Sequence, residues 1–419
     1  VLMNIFFEQY RRWFVLAGLM LIYAASSGII VHTLPLLYPP LIEEFGWSVT
    51  QITLPATVLS IFGAITSPPA GVLFDRFSVR RIMLVGTIGI VLSLMCFSFI
   101  SSLWELVAVY LVFGLAMSLC GLTASMVILT KWFYDKRGIA TGLLLMSSSL
   151  GGAIFPLILG SGIEAMGWRN AIVLVSIIAA CMTLPAIIFL LLDKPKNADT
   201  ESNAEPIKQA LLLALQGPTL SAAIKTPTFY LILIATGSIW FTVIALTQHQ
   251  SLHLVLDVGI DSKLLPMVFS AFFGCSVIGK FSFGWLGDHL NKELSMIASI
   301  LLLTIGLLII RSLNADDVTM LFAYAVIGGI GFSGAFTTIQ LLIAEHYAGN
   351  SYGKILAIIV MVDSLAGGLG TRVMASMRDA SDSYTTGWNL LIALCIVAII
   401  STFIVKQLHH LKPEAVHSA

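Results

Sequence analysis

The chain has 419 residues and no net charge, because 22 lysine and arginine residues balance 22 aspartate and glutamate residues. Hydrophobic residues make up 58% of the chain and charged residues only 11%, whereas a soluble domain carries roughly 25% charged residues. This composition excludes an ordinary water-soluble domain and predicts a protein embedded in a lipid bilayer.

Twelve apolar segments are long enough to cross a membrane, since a helix needs about 20 residues to span about 30 Å of hydrocarbon. The predicted spans, one to twelve, are 13–37, 51–74, 82–100, 104–130, 138–161, 170–192, 227–250, 264–287, 294–312, 318–343, 353–377 and 386–408. Two helix starts are marked in the sequence. Ser48 and Gln51 form a capping box before span two, and Thr226 followed by Pro227 is typical of a helix start before span seven.

Two segments that lie 213 residues apart resemble each other, and this offset is close to half of the chain. The segment 71–81 (G-V-L-F-D-R-F-S-V-R-R) follows span two, and 284–294 (G-W-L-G-D-H-L-N-K-E-L) follows span eight. Duplicated bundles are a frequent construction of transporters. We therefore expect an all-α membrane protein of twelve transmembrane helices in two pseudo-symmetric six-helix bundles, 1–192 and 227–419, joined by a polar linker at 193–226.

The positive charges are distributed unevenly between the two sides of the predicted membrane protein. If the N-terminus is cytoplasmic, 16 of the 22 lysine and arginine residues fall in cytoplasmic segments. The positive-inside rule then places both termini in the cytosol. We expect a multi-pass integral protein of a bacterial inner (plasma) membrane, with the lipid bilayer as a partner.

The motif G-x-x-x-D-R-x-S-x-R-R at 71–81 resembles the loop 2–3 signature of the major facilitator superfamily, which normally has glycine at the position of Ser78. The second copy keeps Gly284 and Asp288 but has lost the other positions. This resemblance covers the whole chain. It implies the major facilitator fold for both bundles and a monomeric protein.

Two further segments are similar to the monocarboxylate and oxalate–formate transporter branch of that superfamily. They are 34–48, between spans one and two, and 131–142, between spans four and five. A cation in span eight adds to this similarity. The resemblance implies a secondary transporter of a small organic anion.

The resemblance also implies that the turns after spans two and eight form a cytoplasmic gate. The charged residues of these turns are Asp75, Arg76, Arg80, Arg81 and Asp288. Asp75 stands at a helix end, where it can accept hydrogen bonds from the N-terminus of a neighbouring helix. The arginines can pair with acids such as Glu345 or with lipid phosphates. Alternatively, these charges only fix the topology and anchor the protein in the lipid.

Two ionisable residues lie inside predicted spans, where burial is costly and a functional role is the first hypothesis. Lys280 precedes Asp288 by eight residues, which places it about 12 Å from the end of span eight. Asp363 follows Gly353 by ten residues, which places it about 15 Å from the same side. Their similar depth permits direct contact.

The branch that this chain resembles usually has a cation, most often arginine, at this point of span eight to hold the substrate carboxylate. Lys280 supplies a point charge in place of a bidentate guanidinium. We hypothesise that Asp363 pairs with Lys280 in the empty protein and takes up a proton when substrate binds. The alternative is a permanent structural ion pair.

Five further residues are weaker candidates for substrate binding. They are Tyr23, His32, Ser148, Trp240 and Arg372. Each has a simpler explanation: the aromatic residues pack in many membrane helices, a lone histidine is often satisfied by a backbone carbonyl, and serines permit close helix contacts. The arginine can extend its charged end to the interface.

The sequence as a whole predicts a secondary active transporter of a small organic anion, best a monocarboxylate, that works by alternating access with proton coupling or exchange. Its partners would be the small-molecule substrate, a proton or counter-anion and lipid, with no nucleic acid, cofactor, metal or enzymatic activity. Because Asp363 is acidic, the same fold carrying a cationic or zwitterionic solute (an amino acid, drug or metal chelate) stays open. A non-transporting membrane receptor or a membrane-embedded enzyme is a further alternative.

Overall fold

The computed structural model describes residues 2–133, 136–193, 218–348 and 351–410. These residues form helices and connecting turns, and no strand occurs among them. The helices that cross the membrane, in chain order, are Leu2–Ile30, Val49–Arg76, Val79–Phe97, Leu103–Cys120 continued by Leu122–Trp132, Arg137–Pro185, Pro227–Leu252, Leu265–His289, Lys292–Arg311, Val318–Tyr347, Tyr352–Ser381 and Thr385–His410. The all-α fold predicted from the sequence is confirmed.

Spans five and six form one helical stretch. Within the described residues, 11 segments are long and apolar enough to cross a membrane, and one of them, Gly138–Leu190, has 53 residues. At 1.5 Å per residue this segment would be about 80 Å long, far more than the hydrocarbon thickness. Gly167 has φ 77° and ψ 161°, so the helix breaks there and the chain crosses the membrane twice. Twelve crossings result, as predicted.

Proline and glycine explain where the helices depart from the predicted boundaries. Span one ends at Ile30, before the predicted residue 37, and the chain continues in two short helices, Leu34–Leu37 and Tyr38–Phe45, each with proline in its first turn. Proline suits a helix start because its φ is already close to the helical value. Span four is interrupted at Gly121, where a Cβ atom would lie 2.5 Å from the Met117 carbonyl oxygen.

The predicted helix starts are confirmed. Ser48 and Gln51 form a complete capping box before span two. The Thr226 side chain accepts a hydrogen bond from the backbone of span seven, with proline at the first helical position. The repeated turns also agree in structure, since Ser78 caps span three and Asn291 caps span nine through their side-chain oxygens.

The helix order places the start of span one and the end of span twelve on one side of the membrane, here named the terminal side; the other is the opposite side. Spans one to six pack mainly on one another, as do spans seven to twelve. Span two also packs on span eleven and span five on span eight, which joins the two halves. Of the predicted linker 193–226, only residue 193 and residues 218–226 fall within the described ranges.

Hydrogen bonds between the two halves close the protein on the opposite side. The Tyr38 hydroxyl donates to Oε1 of Gln248 at 2.6 Å. The Ser251 hydroxyl donates to the Pro35 carbonyl at 2.7 Å. These four residues belong to the connection after span one and to the end of span seven, so the halves meet tightly on this side.

Candidate functional site

The Lys280 side chain links the two halves in the middle of the protein. Its ammonium nitrogen donates to the Leu145 carbonyl at 2.7 Å and to the Ser148 hydroxyl at 3.1 Å, both on span five. The same nitrogen lies 5.6 Å from the ring centroid of Phe336 on span ten. Because an ammonium group has three donors, these two bonds leave one for a further acceptor. The side chain is only partly buried.

Glycines allow the helices around Lys280 to pack closely enough to aim its side chain. A Cβ atom on Gly279 would lie 2.2 Å from Oγ of Ser333 and 2.6 Å from the Ile330 carbonyl, so spans eight and ten approach without intervening side chains. On the other half, a Cβ atom on Gly151 would lie 2.2 Å from the Ala24 carbonyl. Spans one and five therefore touch through their backbones next to Ser148.

Tyr23 and His32 of span one and its C-terminal turn lie beside the same group. Tyr23 is buried, and its side chain lies close to Ser148. The His32 ring packs on Phe273 with centroids 4.2 Å apart, and a Cβ atom on Gly152 of span five would lie 3.1 Å from Cβ of His32. Its Nδ1 atom is buried and has no hydrogen-bond partner among the described residues.

Trp240 of span seven completes the group, because its ring contacts Phe336 with centroids 5.6 Å apart. Five of the seven binding residues predicted from the sequence therefore lie around the meeting point of the halves. They are Lys280, Ser148, Tyr23, His32 and Trp240. The arrangement combines one cation, two hydroxyl groups and several rings, and it can bind an anion with an apolar substituent.

Asp363 lies apart from Lys280, and the predicted ion pair between them is not formed in this structure. The Asp363 carboxylate is 3% exposed and accepts a hydrogen bond from the Thr236 hydroxyl of span seven at 2.8 Å. Its side chain faces span seven, whereas the Lys280 side chain faces span five. The two residues have similar depths along their helices, but depth does not determine the face of the helix on which a side chain lies.

Arg372 also lies outside this group. It is exposed near the opposite side of the protein, and its guanidinium nitrogen Nη1 lies 3.5 Å from the Thr50 carbonyl at the start of span two. This position matches the simpler explanation from the sequence, in which the charged end of the side chain extends to the membrane–water interface.

The predicted gate residues make their contacts within one half. The Arg80 side chain donates to the carbonyls of Ile187 and Ile188 at 3.0 and 2.6 Å. Its backbone nitrogen donates to Asp193 at 2.8 Å, and the Ser78 hydroxyl donates to the same carboxylate at 2.5 Å. Asp193 therefore caps the start of span three and fixes the end of span six to it.

The remaining gate residues show no contact between the halves among the described residues, and contacts of a gate are expected in only one of the two transport states. Asp75, Arg76, Arg81 and Asp288 are exposed, and no hydrogen bond from a helix N-terminus to the Asp75 carboxylate occurs among the described residues. Glu345, the acid expected to pair with them, lies 3.4 Å from Lys292 of its own half. The start of span three is instead capped by Asp193.

Comparison with known proteins identifies the family of the chain. The family model of the Major Facilitator Superfamily matches residues 15–260 and 250–417. The chain belongs to the major facilitator superfamily. It is therefore a multi-pass membrane transporter, not an enzyme, and the expected fold of two pseudo-symmetric six-helix bundles is confirmed.

Individual superfamily members are similar over most of the chain. The uncharacterized MFS-type transporter YcxA of Bacillus subtilis is 23% identical over 93% of this chain and 92% of its own length. Monocarboxylate transporter 13 of Bos taurus is 26% identical over 83% of this chain and 77% of its own. A bacterial homologue of the human lysosomal transporter Spinster, in an inward-facing and occupied conformation, has a TM-score of 0.71 at 15% identity and covers 95% and 97% of the two chains.

Proposed function

We propose that this transporter carries a small organic anion, a monocarboxylate, by alternating access. The observation that supports this proposal is the Lys280 ammonium group, which lies between the two halves with one donor left over. A carboxylate oxygen is the natural acceptor for that donor, since hydrogen bonds between ionised partners are the strong ones. The similarity to monocarboxylate transporter 13 supports the same class of substrate.

The position of Lys280 also suggests how substrate binding and conformational change are coupled. The lysine belongs to one half and both of its acceptors, the Leu145 carbonyl and the Ser148 hydroxyl, belong to the other. A bound carboxylate competes for the ammonium group and weakens these two bonds. A ligand shifts a conformational equilibrium only by its different affinities for the two states, and this competition provides such a difference.

We propose Asp363 as the site of proton coupling. The carboxylate is buried between spans seven and eleven, and its hydrogen bond comes from the neutral Thr236 hydroxyl. No cation lies within ion-pair distance among the described residues, and an unpaired ion in a membrane interior costs several kcal/mol. Proton uptake removes this cost. Exchange of one anion for another is the alternative if the transport rate does not depend on a proton gradient.

The proposal includes the orientation and organisation expected from the sequence. Both termini would face the cytosol, the gate residues after spans two and eight would lie at the cytoplasmic surface, and the protein would act as a monomer in a bacterial inner membrane. The N-terminal bundle would comprise 1–192, the linker 193–226 and the C-terminal bundle 227–419. The positive-inside distribution of charge supports this orientation.

The test is uptake of radiolabelled pyruvate into liposomes that contain the purified protein. We expect Lys280→Met to abolish uptake and Lys280→Arg to retain part of it, because arginine keeps the charge. Lys263→Met is the matched control, since Lys263 is exposed and lies on the opposite side. Uptake that survives in Lys280→Met at the wild-type rate would contradict the proposal.

With Asp363→Asn, uptake should lose its stimulation by acidic external pH.

Asp363 favours a second cargo class, a cationic or zwitterionic solute whose ammonium group would bind the carboxylate. The same liposomes distinguish the two. A cationic substrate would lose uptake with Asp363→Asn and keep it with Lys280→Met, which is the reverse of the result expected for an anion.

A further inference from the structure

Two adjoining aromatic residues that are not fully covered by protein lie near Lys280, and one of them contacts its ammonium group. Phe336 of span ten lies 5.6 Å away, measured to its ring centroid, and Trp240 of span seven packs on Phe336 at an interplanar angle of 66°. Both residues are only partly buried. Phe336 lies 11 residues before the end of span ten and Lys280 nine residues before the end of span eight. Both side chains are therefore at similar depths, about 16 and about 14 Å from the terminal side.

Toward the opposite side, the space next to Lys280 is filled. Phe273 and Phe332 are 0% and 6% exposed, and their ring centroids are 5.9 Å apart. His32 covers Phe273, and a Cβ atom on Gly152 would lie 2.7 Å from the Phe273 ring. A ligand whose carboxylate binds Lys280 cannot place its substituent there. Phe336 and Trp240, which are only partly buried, offer apolar surface that a substituent can cover.

We infer that the substrate is a monocarboxylate with an aromatic ring, whose carboxylate binds Lys280 and whose ring packs on Phe336 and Trp240. This inference rests on the proposed function and narrows the proposed substrates from monocarboxylates in general to those with an aromatic ring. Offset or edge-on contacts with two rings are favourable for a third ring. A methyl-sized substituent would leave the faces of both side chains uncovered.

The dimensions are consistent with simultaneous contacts. In phenylpyruvate, three carbon–carbon bonds of about 1.5 Å each separate the carboxylate carbon from the ring, and the Lys280 nitrogen lies 5.6 Å from the Phe336 centroid. Removing a phenyl-sized group from water strengthens binding by about tenfold to hundredfold. An aromatic acid should therefore bind at concentrations lower by that factor than its short-chain analogue.

Thermal unfolding of the purified full-length protein with three α-keto acids tests the inference. Pyruvate, 4-methyl-2-oxopentanoate and phenylpyruvate have the same head group and differ in the substituent. Ligands that bind the folded state raise the unfolding temperature by mass action. We expect phenylpyruvate to give the same rise in unfolding temperature at a concentration at least tenfold below that of pyruvate, and several-fold below that of 4-methyl-2-oxopentanoate. If phenylpyruvate and 4-methyl-2-oxopentanoate give the same rise in unfolding temperature at equal concentrations, the aromatic preference is overturned and only an apolar one is left.

Variants separate the failure of this inference from the failure of the proposed function. Trp240→Leu and Phe336→Leu should weaken the response to phenylpyruvate by a larger factor than the response to pyruvate, so that most of the preference for the aromatic acid is lost. Phe281→Leu is the matched control, because Phe281 is 69% exposed on the neighbouring face of span eight. Lys280→Met should lose the response to all three acids. If no acid stabilises the wild-type protein, or if Lys280→Met responds unchanged, the proposed function and the inference both fall.

Discussion

The Asp379 carboxylate accepts a hydrogen bond from the backbone nitrogen of Thr50 at 2.9 Å, which joins the end of span eleven to the first turn of span two. The first backbone N–H groups of a helix have no partner within the helix. Here Ser48 satisfies one of them from within the same half, and Asp379 satisfies another from the other half. The carboxylate also benefits from the positive end of the helix dipole. This contact therefore closes the opposite side of the protein.

Asp379→Ala should loosen this closure. Removing a carboxylate from a helix N-terminus costs about 0.5–2 kcal/mol, so the state that is open on the opposite side should become several-fold more populated. Hydrogen–deuterium exchange of the peptide that contains the first turn of span two would reveal this as faster exchange. Asp316→Ala is the control, because Asp316 is exposed in the turn after span nine, on the same side of the protein. Equal exchange in both variants would exclude the proposed closing role.

Gly151→Ala should destabilise the N-terminal half strongly. The added Cβ atom would lie 2.2 Å from the Ala24 carbonyl, so the backbones of spans one and five would have to separate. Overpacking of this kind costs about 1–3 kcal/mol. Gly142→Ala on the same span is the matched control, since its Cβ atom meets no atom within 4 Å and alanine favours a helix. Thermal unfolding in detergent should give a lower midpoint for Gly151→Ala and an unchanged or higher one for Gly142→Ala.

Features that depend on nearby residues could be predicted from the sequence. The capping box of Ser48 and Gln51 involves two residues three positions apart, and it forms as expected. Ser148, a weaker candidate for substrate binding in the sequence, does lie beside Lys280. The length of the apolar segments and the positions of the charges were sufficient to predict twelve spans. Spans five and six form one helical stretch, which Gly167 interrupts.

The contacts that the sequence could not supply join residues far apart in the chain. Asp193 caps span three across 113 residues, and no local pattern distinguishes it from other acidic residues at helix ends. The predicted ion pair between Lys280 and Asp363 does not form in this structure. The rotation of each helix about its own axis decides which neighbouring helix a side chain meets. That rotation follows from close contacts such as Gly279 against Ser333, which a single sequence does not reveal.

Asp193→Ala should weaken the contact between spans three and six. It removes the acceptor of both the Ser78 hydroxyl and the Arg80 backbone nitrogen, and loss of a cap costs about 1 kcal/mol. We expect a lower unfolding midpoint for Asp193→Ala than for wild type. Asp75→Ala provides the comparison, since Asp75 is exposed and its loss should leave the midpoint unchanged. The reverse order of the two midpoints would contradict the capping role of Asp193.

Tyr384→Phe should destabilise the C-terminal half through the buried side chain of His249. Nε2 of His249 lies 2.9 Å from the Thr371 carbonyl, and Nδ1 lies 2.9 Å from the Tyr384 hydroxyl. Because a carbonyl only accepts, Nε2 carries the proton and Nδ1 accepts from the tyrosine. His249 and Tyr384 are both 0% exposed. Phenylalanine at position 384 would therefore leave Nδ1 of His249 without a donor, which lowers the free energy of unfolding by about 1–3 kcal/mol.

The measurement for this variant is the thermal unfolding midpoint, with Tyr230→Phe as the control. Tyr230 is 54% exposed, so loss of its hydroxyl group should leave the midpoint unchanged. A midpoint for Tyr384→Phe equal to that of the control would mean that a water molecule replaces the lost donor. The double variant His249→Leu/Tyr384→Phe distinguishes these cases, since removal of both polar partners should recover part of the stability lost in Tyr384→Phe alone.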